Sequence, residues 1–355
     1  MRSRIDYPLT LSLLVACSFF AACGADDAPA QAFHAPLEAS TSGTDADWVL
    51  VFADEFDGSA IDAAKWTPFE GDPRHKSTIN TTSRSLAAVR DGSMFVSAIP
   101  TPEDAAFPYA TGYVDTRGLF AQTYGKIEFR ARCMYAPGVW YALWGRSWKN
   151  LVPEIDLEFL AENINQAWLV NHWGVPPVPA DQRRGFTTVD GLDITKFHTY
   201  TIVWKHDLIE WAIDGKPFRR VTDPAHIPQE PMFWVMNAWV GGWGGIPGPS
   251  TIFPASIEVD HLRISRLREW TTPAVIQIDQ PKATYARSGA IDVELADFDA
   301  LARVEVWDGD SLVETLTKPP FRFAPKALAP AAHKLTFVGT DGSRTATTVL
   351  DVVIE

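Results

Sequence analysis

The sequence predicts an all-β protein, and three observations support that prediction. Short runs rich in β-branched and aromatic residues recur along the chain, as in residues 126–131 and 200–204. Turn-forming pairs separate such runs, and Asp214-Gly215 between two apolar runs is a strong hairpin signal. Few stretches carry the apolar period of an amphipathic helix. Many short strands with regular turns indicate an antiparallel sandwich or barrel.

Length and composition indicate two folded domains. The chain has 355 residues, more than one domain usually holds. Its 46% hydrophobic and 21% charged residues can build a core. The formal net charge of −13 disfavours non-specific binding to nucleic acid, because such binding requires a basic surface. We therefore expect no nucleic-acid partner.

Residues 1–23 have the features of a secretory signal, with a basic start, an apolar stretch and small residues before a cysteine. Residues 20–24 resemble a bacterial lipoprotein cleavage site, which implies cleavage before Cys23 and its lipidation, so that the membrane is contacted only through this anchor. Cys17 is a competing lipidation site, and ordinary secretion is a third alternative. Residues 24–46 lack periodicity and predict a flexible tether. The protein is thus expected to be exported. Cys133, the cysteine outside this leader, is expected to be a small buried residue.

Two domains are predicted after the tether, at residues 47–269 and 273–355. A Thr-Thr-Pro break at 271–273 separates them. The second contains about 80 residues of short alternating strands, which suggests an immunoglobulin-like sandwich. We expect it to be a spacer, with glycan binding as the alternative.

The run 153–160 contains three acids at alternate positions, Glu154, Asp156 and Glu158. In a strand the three carboxyl groups share one face, while the apolar residues between them share the other. The same run is compatible with a helix start, because proline and acids are favoured there. A solvated strand face is a further alternative. Only the strand interpretation brings all three carboxyl groups together for chemistry.

Tryptophan is unusually abundant, with 14 residues, and several lie in distinctive segments around the acids. Aromatic planes hold flat, partly apolar ligands, although tryptophan also fills sandwich cores. The segments that surround the acidic run are 51–58, 109–118, 124–132, 140–148, 197–204, 237–245 and 259–264.

In this order, the segments closely resemble glycoside hydrolase family 16 over residues 48–268. The resemblance implies a curved antiparallel β-sandwich of the jelly-roll, concanavalin-like type, with a glycan cleft on one sheet. It also implies retaining hydrolysis of β-linked polysaccharides by two carboxyl groups. On the family's pattern Glu154 is the nucleophile, Glu158 is the general acid/base and Asp156 assists Glu154. Neighbouring negative charge should keep Glu158 protonated in the resting enzyme.

The resemblance further implies a set of substrate contacts and a structural metal. The expected substrate-binding residues are Arg117, Trp140, Trp144, Trp148, Asn171, Trp173, Trp239 and Trp243. His172 is expected to be structural. Glu55 and Asp260 match acids near a calcium ion in family members, although a purely structural role is an equal alternative. No cofactor is expected for turnover.

The short motif Glu-Ile-Asp-Leu-Glu is similar to that of lichenases, which act on β-1,3-1,4-glucan, and to that of cell-wall transglycosylases. The upstream segments look as much like β-1,3-glucanases. The sequence therefore predicts a monomeric, retaining endo-β-glucanase whose partner is a polysaccharide with β-1,3-1,4 or β-1,3 linkages. The alternatives are a transglycosylase on cell-wall β-glycans and a non-catalytic surface glycan-binding protein.

Overall fold

The structure, a computed structural model, consists of β-strands with a few short 3-10 turns, and the all-β prediction is confirmed. It describes residues 47–71, 78–104, 106–148, 152–160, 166–174, 184–269, 272–298 and 302–355. The expected signal peptide and tether, with Cys17 and Cys23, lie outside these residues. Within the described ranges, no helix has the length and hydropathy needed to cross a bilayer.

The first sandwich contains strands β1 to β17. In chain order they are β1 (Trp48–Asp54), β2 (Thr67–Pro68), β3 (Asn80–Thr82), β4 (Ala87–Arg90), β5 (Ser93–Pro100), β6 (Tyr109–Thr111), β7 (Tyr113–Asp115), β8 (Gly125–Cys133), β9 (Val139–Ser147), β10 (Glu154–Leu160), β11 (Gln166–His172), β12 (Arg184–Asp190), β13 (His198–Lys205), β14 (Leu208–Ile213), β15 (Lys216–Val221), β16 (Met232–Val240) and β17 (Ala255–Leu267).

These strands form two sheets. The ten-stranded sheet has the order β15-β14-β13-β8-β17-β5-β6-β3, with β1 added to β17 and β4 added to β5. The seven-stranded sheet has the order β12-β11-β10-β9-β16-β7-β2. Consecutive strands are often distant in the sheets, as expected for a jelly roll.

Period-two alternation builds the core between the two sheets. In β8, Ile127 and Phe129 are buried while Glu128 and Arg130 are partly exposed. Cys133 ends this strand as a buried free thiol, as predicted. Large aromatic residues fill much of the same core, namely Trp66, Trp204, Trp211, Trp234, Phe159 and Tyr200. Their burial stabilises the sandwich by roughly 25 cal/mol per Å² of apolar surface.

The predicted hairpin turn is present between β14 and β15. Asp214 and Gly215 have φ values of 49° and 75°. Two successive positive φ values match a type I′ turn, whose twist suits the flanking strands. The local sequence signal therefore identified this turn correctly.

A second sandwich follows, with its own core. Its strands are β18 (Val275–Ile278), β19 (Thr284–Tyr285), β20 (Ile291–Ala296), β21 (Arg303–Asp308), β22 (Ser311–Leu316), β23 (Phe321–Phe323), β24 (Ala331–Thr340) and β25 (Thr345–Ile354). They form a three-stranded sheet, β18-β20-β23, and a five-stranded sheet, β19-β25-β24-β21-β22. The immunoglobulin-like assignment of this unit stays a prediction.

Candidate active site

The acidic run forms β10, which excludes the helix interpretation. The strand pairs with β9 on one side and β11 on the other, both antiparallel. Ile155, Leu157 and Phe159 are fully buried in the core between the sheets. Glu154, Asp156 and Glu158 therefore point to the opposite side of the seven-stranded sheet, which we call the site face.

The register of the strands identifies the neighbours of these acids. Residues directly opposite each other in an antiparallel pair share a face. On β9, β16 and β7 the site-face residues are Trp140, Ala142, Trp144, Arg146, Phe233, Val235, Asn237, Trp239, Tyr113 and Asp115. On β11 and β12 they are Trp168, Val170, His172, Arg184, Phe186 and Thr188. The site face is thus rich in aromatic rings, with arginine and histidine near the acids.

The three acids are largely removed from solvent. Side-chain exposure is 18% for Glu154 and 4% for Asp156, and Glu158 is 5% exposed. Among the described residues, Asp156 Oδ2 and Glu158 Oε2 have no hydrogen-bond partner. A buried polar atom without a partner costs stability. These oxygens are therefore positioned for a proton or a ligand.

Burial changes the protonation of all three groups. Burial raises the pKa of Glu154 to about 7, although the charge of Arg146 opposes that rise. Burial, reinforced by the charge of Glu154, raises the pKa of Glu158 to about 8, and Arg184 opposes it. Burial and the charges of both glutamates raise the pKa of Asp156 well above its ordinary value. Of the two glutamates, Glu154 is therefore the first to ionise.

His172 lies among the acids, although its sequence context suggested a structural role. It is directly opposite Glu154 on β11. Its Nε2 atom lies 3.7 Å from Asp156 Oδ2 and 4.0 Å from Glu154 Oε2. Donor atoms of the three residues lie within 4.8 Å of one another, so they could hold a divalent cation. Imidazole and carboxylate ligands suit zinc or copper.

Arg184 and Trp243 meet above the site face from opposite sides of β10. Arg184 begins β12, two strands from β10 on one side, and Trp243 follows β16, two strands away on the other. The guanidinium lies 4.7 Å from the centre of the Trp243 ring. Trp243 also stacks on Trp140, with ring centres 5.5 Å apart. The contact crosses the acidic strand close to Glu158, and the charge of Arg184 lowers the pKa of Glu158.

Asn237 is a further site-face residue that the sequence-based set of contacts omitted. It is fully buried on β16, opposite Ala142, which is itself opposite Glu158. Its Oδ1 atom accepts a 2.7 Å hydrogen bond from Trp144 Nε1. Its Nδ2 atom has no partner among the described residues. Asn237 thus fixes the Trp144 ring and retains a donor for a ligand.

Of the predicted aromatic contacts, Trp140, Trp144 and Trp239 occupy the site face. Trp239 is opposite Trp140 and packs near Tyr113, with ring centres 5.8 Å apart. Trp148 follows β9 and is almost completely buried in an aromatic cluster with Phe233. It therefore lies at the end of the site face, and its role as a direct substrate contact stays a prediction.

Asn171 and Trp173 are placed differently from their prediction. Asn171 is opposite Ile155, so it points to the core side of the sheet rather than to the acids. Its amide donates to the backbone oxygen of His226 at 3.1 Å and accepts from Arg219 at 2.5 Å. The prediction that Asn171 contacts substrate is therefore wrong, and the neighbouring His172 takes the site-face position.

The Trp173 ring packs beside Gly185, which is opposite Asn171 and shares its side of the sheet. The ring lines a separate pocket of about 340 Å³ with Pro153 and Ile227. Trp173 therefore lies away from the acids.

Arg117, also predicted to contact substrate, instead has partners in the second sandwich. Its Nη2 atom lies 2.6 Å from Asp279 Oδ1, and its Nε atom lies 3.2 Å from Glu294 Oε1. These contacts use two of the guanidinium nitrogens as hydrogen-bond donors. The structure thus gives Arg117 an interdomain role that its sequence context did not reveal.

The two acids expected at a calcium site are paired with basic side chains. Arg263 donates to both oxygens of Glu55, each at 2.8 Å. Asp260 Oδ2 lies 3.1 Å from Arg130 and 3.1 Å from His261. These side-chain contacts are those of a structural role, and calcium binding, for which backbone oxygens would supply most ligands, stays a prediction.

Comparison with known proteins agrees with this geometry. Residues 78–255, about half of the chain, match the family described as glycosyl hydrolases family 16. The matched segment includes β10 and all the acids on its site face.

Individual relatives extend the likeness. A beta-glucanase of Rhodothermus marinus is 30% identical over 282 residues, which cover 72% of this chain and 92% of that protein. Glucan endo-1,3-beta-glucosidase A1 of Niallia circulans is 28% identical over 255 residues, which cover 61% of this chain. The chain spans 37% of the length of that second relative.

A solved structure shows the same fold. The laminarinase from Rhodothermus marinus superposes with a TM-score of 0.56 and 27% identity, covering 62% of this chain and 98% of that one. The likeness thus covers nearly the whole of that solved chain.

Proposed function

The chain belongs to family 16 of the glycosyl hydrolases and is a glycoside hydrolase, and we propose that it is a retaining endo-β-glucanase. The observation that carries the proposal is the placement of Glu154, Asp156 and Glu158 on one buried face of a single strand. Retaining hydrolysis requires two carboxyl groups that flank the scissile glycosidic bond, about 5–5.5 Å apart, and neighbouring side chains on one face of a strand can supply such a pair.

In the first step, a Glu154 oxygen attacks the anomeric carbon while Glu158 donates its proton to the departing glycosidic oxygen. The glycosidic bond breaks and a covalent glycosyl-enzyme forms. The order of the two pKa values suits these roles, because Glu154 ionises at about 7 and Glu158 at about 8. Arg146, opposite Glu154, favours the ionised nucleophile.

In the second step, Glu158 takes a proton from water, whose oxygen attacks the anomeric carbon and releases Glu154. Two inversions at the same carbon give net retention. Asp156 lies between the glutamates, and burial and their charges raise its pKa well above the ordinary value, which favours its protonated form. A protonated Asp156 can donate a hydrogen bond to Glu154 and hold its orientation.

The aromatic residues of the site face would hold the sugar chain. The Trp140–Trp243 stack lies on one side of β10, and Trp168 stacks on Phe186 on the other side, with ring centres 5.0 Å apart. Sugar rings have apolar faces that pack on such planes. A row of aromatic residues across several strands suits an internal stretch of polysaccharide, which supports endo cleavage.

We propose β-1,3 or mixed β-1,3-1,4 glucan as the substrate. Support comes from the short acidic motif and from the relatives, whose names describe β-glucanase, endo-1,3-β-glucosidase and laminarinase activities. The linkage would be resolved by digesting lichenan, laminarin, xyloglucan, agarose and carrageenan and sizing the products. Excess acceptor oligosaccharide in the same digest would reveal transglycosylation as products longer than the acceptor.

The test of the mechanism is Glu154→Gln. We expect turnover to fall by about 10⁴-fold or more with the fold intact, because the amide cannot form the glycosyl-enzyme. The control is Glu258→Gln, which changes a glutamate on the ten-stranded sheet that pairs with Arg132. Near-normal hydrolysis by the Glu154 variant would refute the assignment, and inverted anomeric configuration of the first product would refute retention.

Export is a separate proposal that rests on residues 1–23. We propose a lipid on Cys23 that anchors the exported enzyme to the cell envelope. Mass spectrometry of the mature N-terminus and fractionation of a Cys23→Ser variant test it. Release of that variant from membranes supports the anchor, and unchanged fractionation contradicts it.

A further inference from the structure

The second sandwich is fastened to the first through a cluster of ion pairs. Arg117, just after β7, contacts Asp279 at 2.6 Å and Glu294 at 3.2 Å. Glu294, on β20, is only 4% exposed, and its other oxygen accepts a 2.6 Å hydrogen bond from Gln277. Removing one member of such a buried pair leaves an uncompensated charge, which is strongly destabilising. We call Arg117, Asp279 and Glu294 the interdomain ion-pair cluster.

A second polar contact lies next to this cluster. The backbone N–H of Thr123, between β7 and β8, donates to Asp297 Oδ1 at 3.0 Å. The Asp297 backbone oxygen also accepts a hydrogen bond from Arg344, within the second sandwich. The contact therefore ties two loops that each belong to a different sandwich.

Apolar side chains complete the junction. Val275 and Ala296, from β18 and β20, pack in one cluster with Trp148 and Phe233 of the first sandwich. Ala296 is only 1% exposed. Without the second sandwich, part of this aromatic cluster would face water. A freely tethered domain has no need for such a junction, so we take the second sandwich to be held rigidly against the first, while the predicted spacer role itself stays untested.

The junction is close to the catalytic strand. Phe233 is directly opposite Arg146, and Arg146 is directly opposite Glu154. Two strand spacings separate Phe233 from Glu154, or about 10 Å. The guanidinium of Arg117 lies 5.7 Å from the Phe233 ring. A glycan that crosses β9 and β16 at this end of the site face would therefore reach the second sandwich.

We infer that the second sandwich is a fixed wall of the substrate cleft, and that the interdomain ion-pair cluster holds it where it limits the path of the glycan beyond β16. The inference that the second sandwich borders the cleft rests on the proposed function. The inference that the two sandwiches form a rigid junction does not. Arg117 acts through its partners and is a positioning residue, in contrast to the direct sugar contact expected from its sequence context.

The experiment weakens the junction by substitutions in the second sandwich, which leave the catalytic acids of β10 unchanged. Asp279→Asn with Glu294→Gln removes both acidic partners without changing side-chain size. The matched control is Asp292→Asn, which removes a 2.6 Å ion pair with Arg322 on the exposed surface of the same sandwich. All proteins are compared in the full chain by scanning calorimetry, small-angle X-ray scattering and cleavage of labelled glucan oligosaccharides of increasing length.

We expect the wild type and Asp292→Asn to unfold in one transition and to scatter as one compact particle. The double variant should show a separate transition, about 5 °C or more lower, and a larger radius of gyration. Its kcat/KM should be unchanged for short oligosaccharides, and its cleavage positions on long ones should shift by at least about twofold in product ratio. Separate transitions and a flexible particle already in the wild type would overturn the proposal.

Arg117→Gln distinguishes a positioning residue from a sugar contact. If Arg117 acts only through the second sandwich, adding Arg117→Gln to the double variant changes the cleavage pattern no further. A further rise in KM for short oligosaccharides would instead show direct contact and refute the assignment. Calorimetry and scattering do not need turnover. A chain that cleaves no glucan but unfolds as one unit would refute the proposed function and the cleft wall, while retaining the rigid junction.

Discussion

The two faces of β10 differ sharply, although their residues alternate along the same seven-residue strand. On the core face, Ile155, Leu157 and Phe159 are fully buried among apolar neighbours. On the site face, buried carboxyl oxygens of Asp156 and Glu158 lack hydrogen-bond partners among the described residues. One face lowers the free energy of the fold, and the other raises it.

The difference shows that burial of the apolar side chains on one face offsets the free-energy cost of burying the carboxyl groups on the other. Burial that favours an apolar side chain disfavours a charged one. The resulting high pKa values of Glu154 and Glu158 supply a nucleophile and an acid in the order that retaining hydrolysis needs. Stability and activity therefore oppose each other at this site.

The largest expected effect breaks the core face. Phe159→Ala should lower the free energy of unfolding by about 3–5 kcal/mol, because it removes a fully buried ring that packs on Tyr200. Chemical denaturation measured by tryptophan fluorescence checks this value. A loss below about 1 kcal/mol would mean that the core side of β10 is loosely packed.

The next effect comes from removing the cost of burying the Glu158 carboxylate on the site face. Glu158→Gln should raise the free energy of unfolding at pH 8 by about 2 kcal/mol while abolishing efficient turnover. The pKa of Glu158 is raised in the folded state, so its contribution to stability is complete below about pH 4.5 and is lost as pH rises through about 8. The gain should therefore shrink towards pH 4.

Denaturation at pH 4, 6 and 8 measures the trend, with Glu258→Gln as the control. A gain that is independent of pH would contradict the link to Glu158 ionisation.

A smaller effect tests the donor atoms near Glu154. Zinc should inhibit at neutral pH by binding Glu154, Asp156 and His172, whereas magnesium at equal concentration should not. His172→Ala should weaken zinc inhibition by about tenfold, or about 1.4 kcal/mol. The control is His206→Ala, at a histidine in the turn between β13 and β14 of the ten-stranded sheet. Equal zinc sensitivity of both variants would exclude His172 as a ligand.

The smallest effect concerns the contact between Arg184 and Trp243 above β10. Arg184 lowers the pKa of Glu158, so Arg184→Met should raise that pKa further, by about half a unit or 0.7 kcal/mol. Because the acid must be protonated, the alkaline limb of the kcat/KM profile should move to higher pH. Arg132→Met, on the other sheet, is the control. A shift to lower pH would contradict the placement of Arg184.

Much of the fold could be predicted locally, and part of the site could not. Alternation within 153–160 identified a strand and grouped its three acids correctly. The same alternation could not say which face of β11 meets those acids, so Asn171 was expected where His172 lies. That choice depends on cross-strand register, which pairs residues that are distant in sequence.

The sequence by itself determined the all-β architecture, the Asp214-Gly215 turn and the common face of the three acids, because these depend on neighbours within a few residues. Tertiary structure alone decided the contacts of Arg184 with Trp243 and of Arg117 with Glu294. The two residues of the first contact are 59 positions apart along the chain, and those of the second are 177 positions apart. Such contacts arise only when the sheets have assembled, since strand order and packing select which side chains meet.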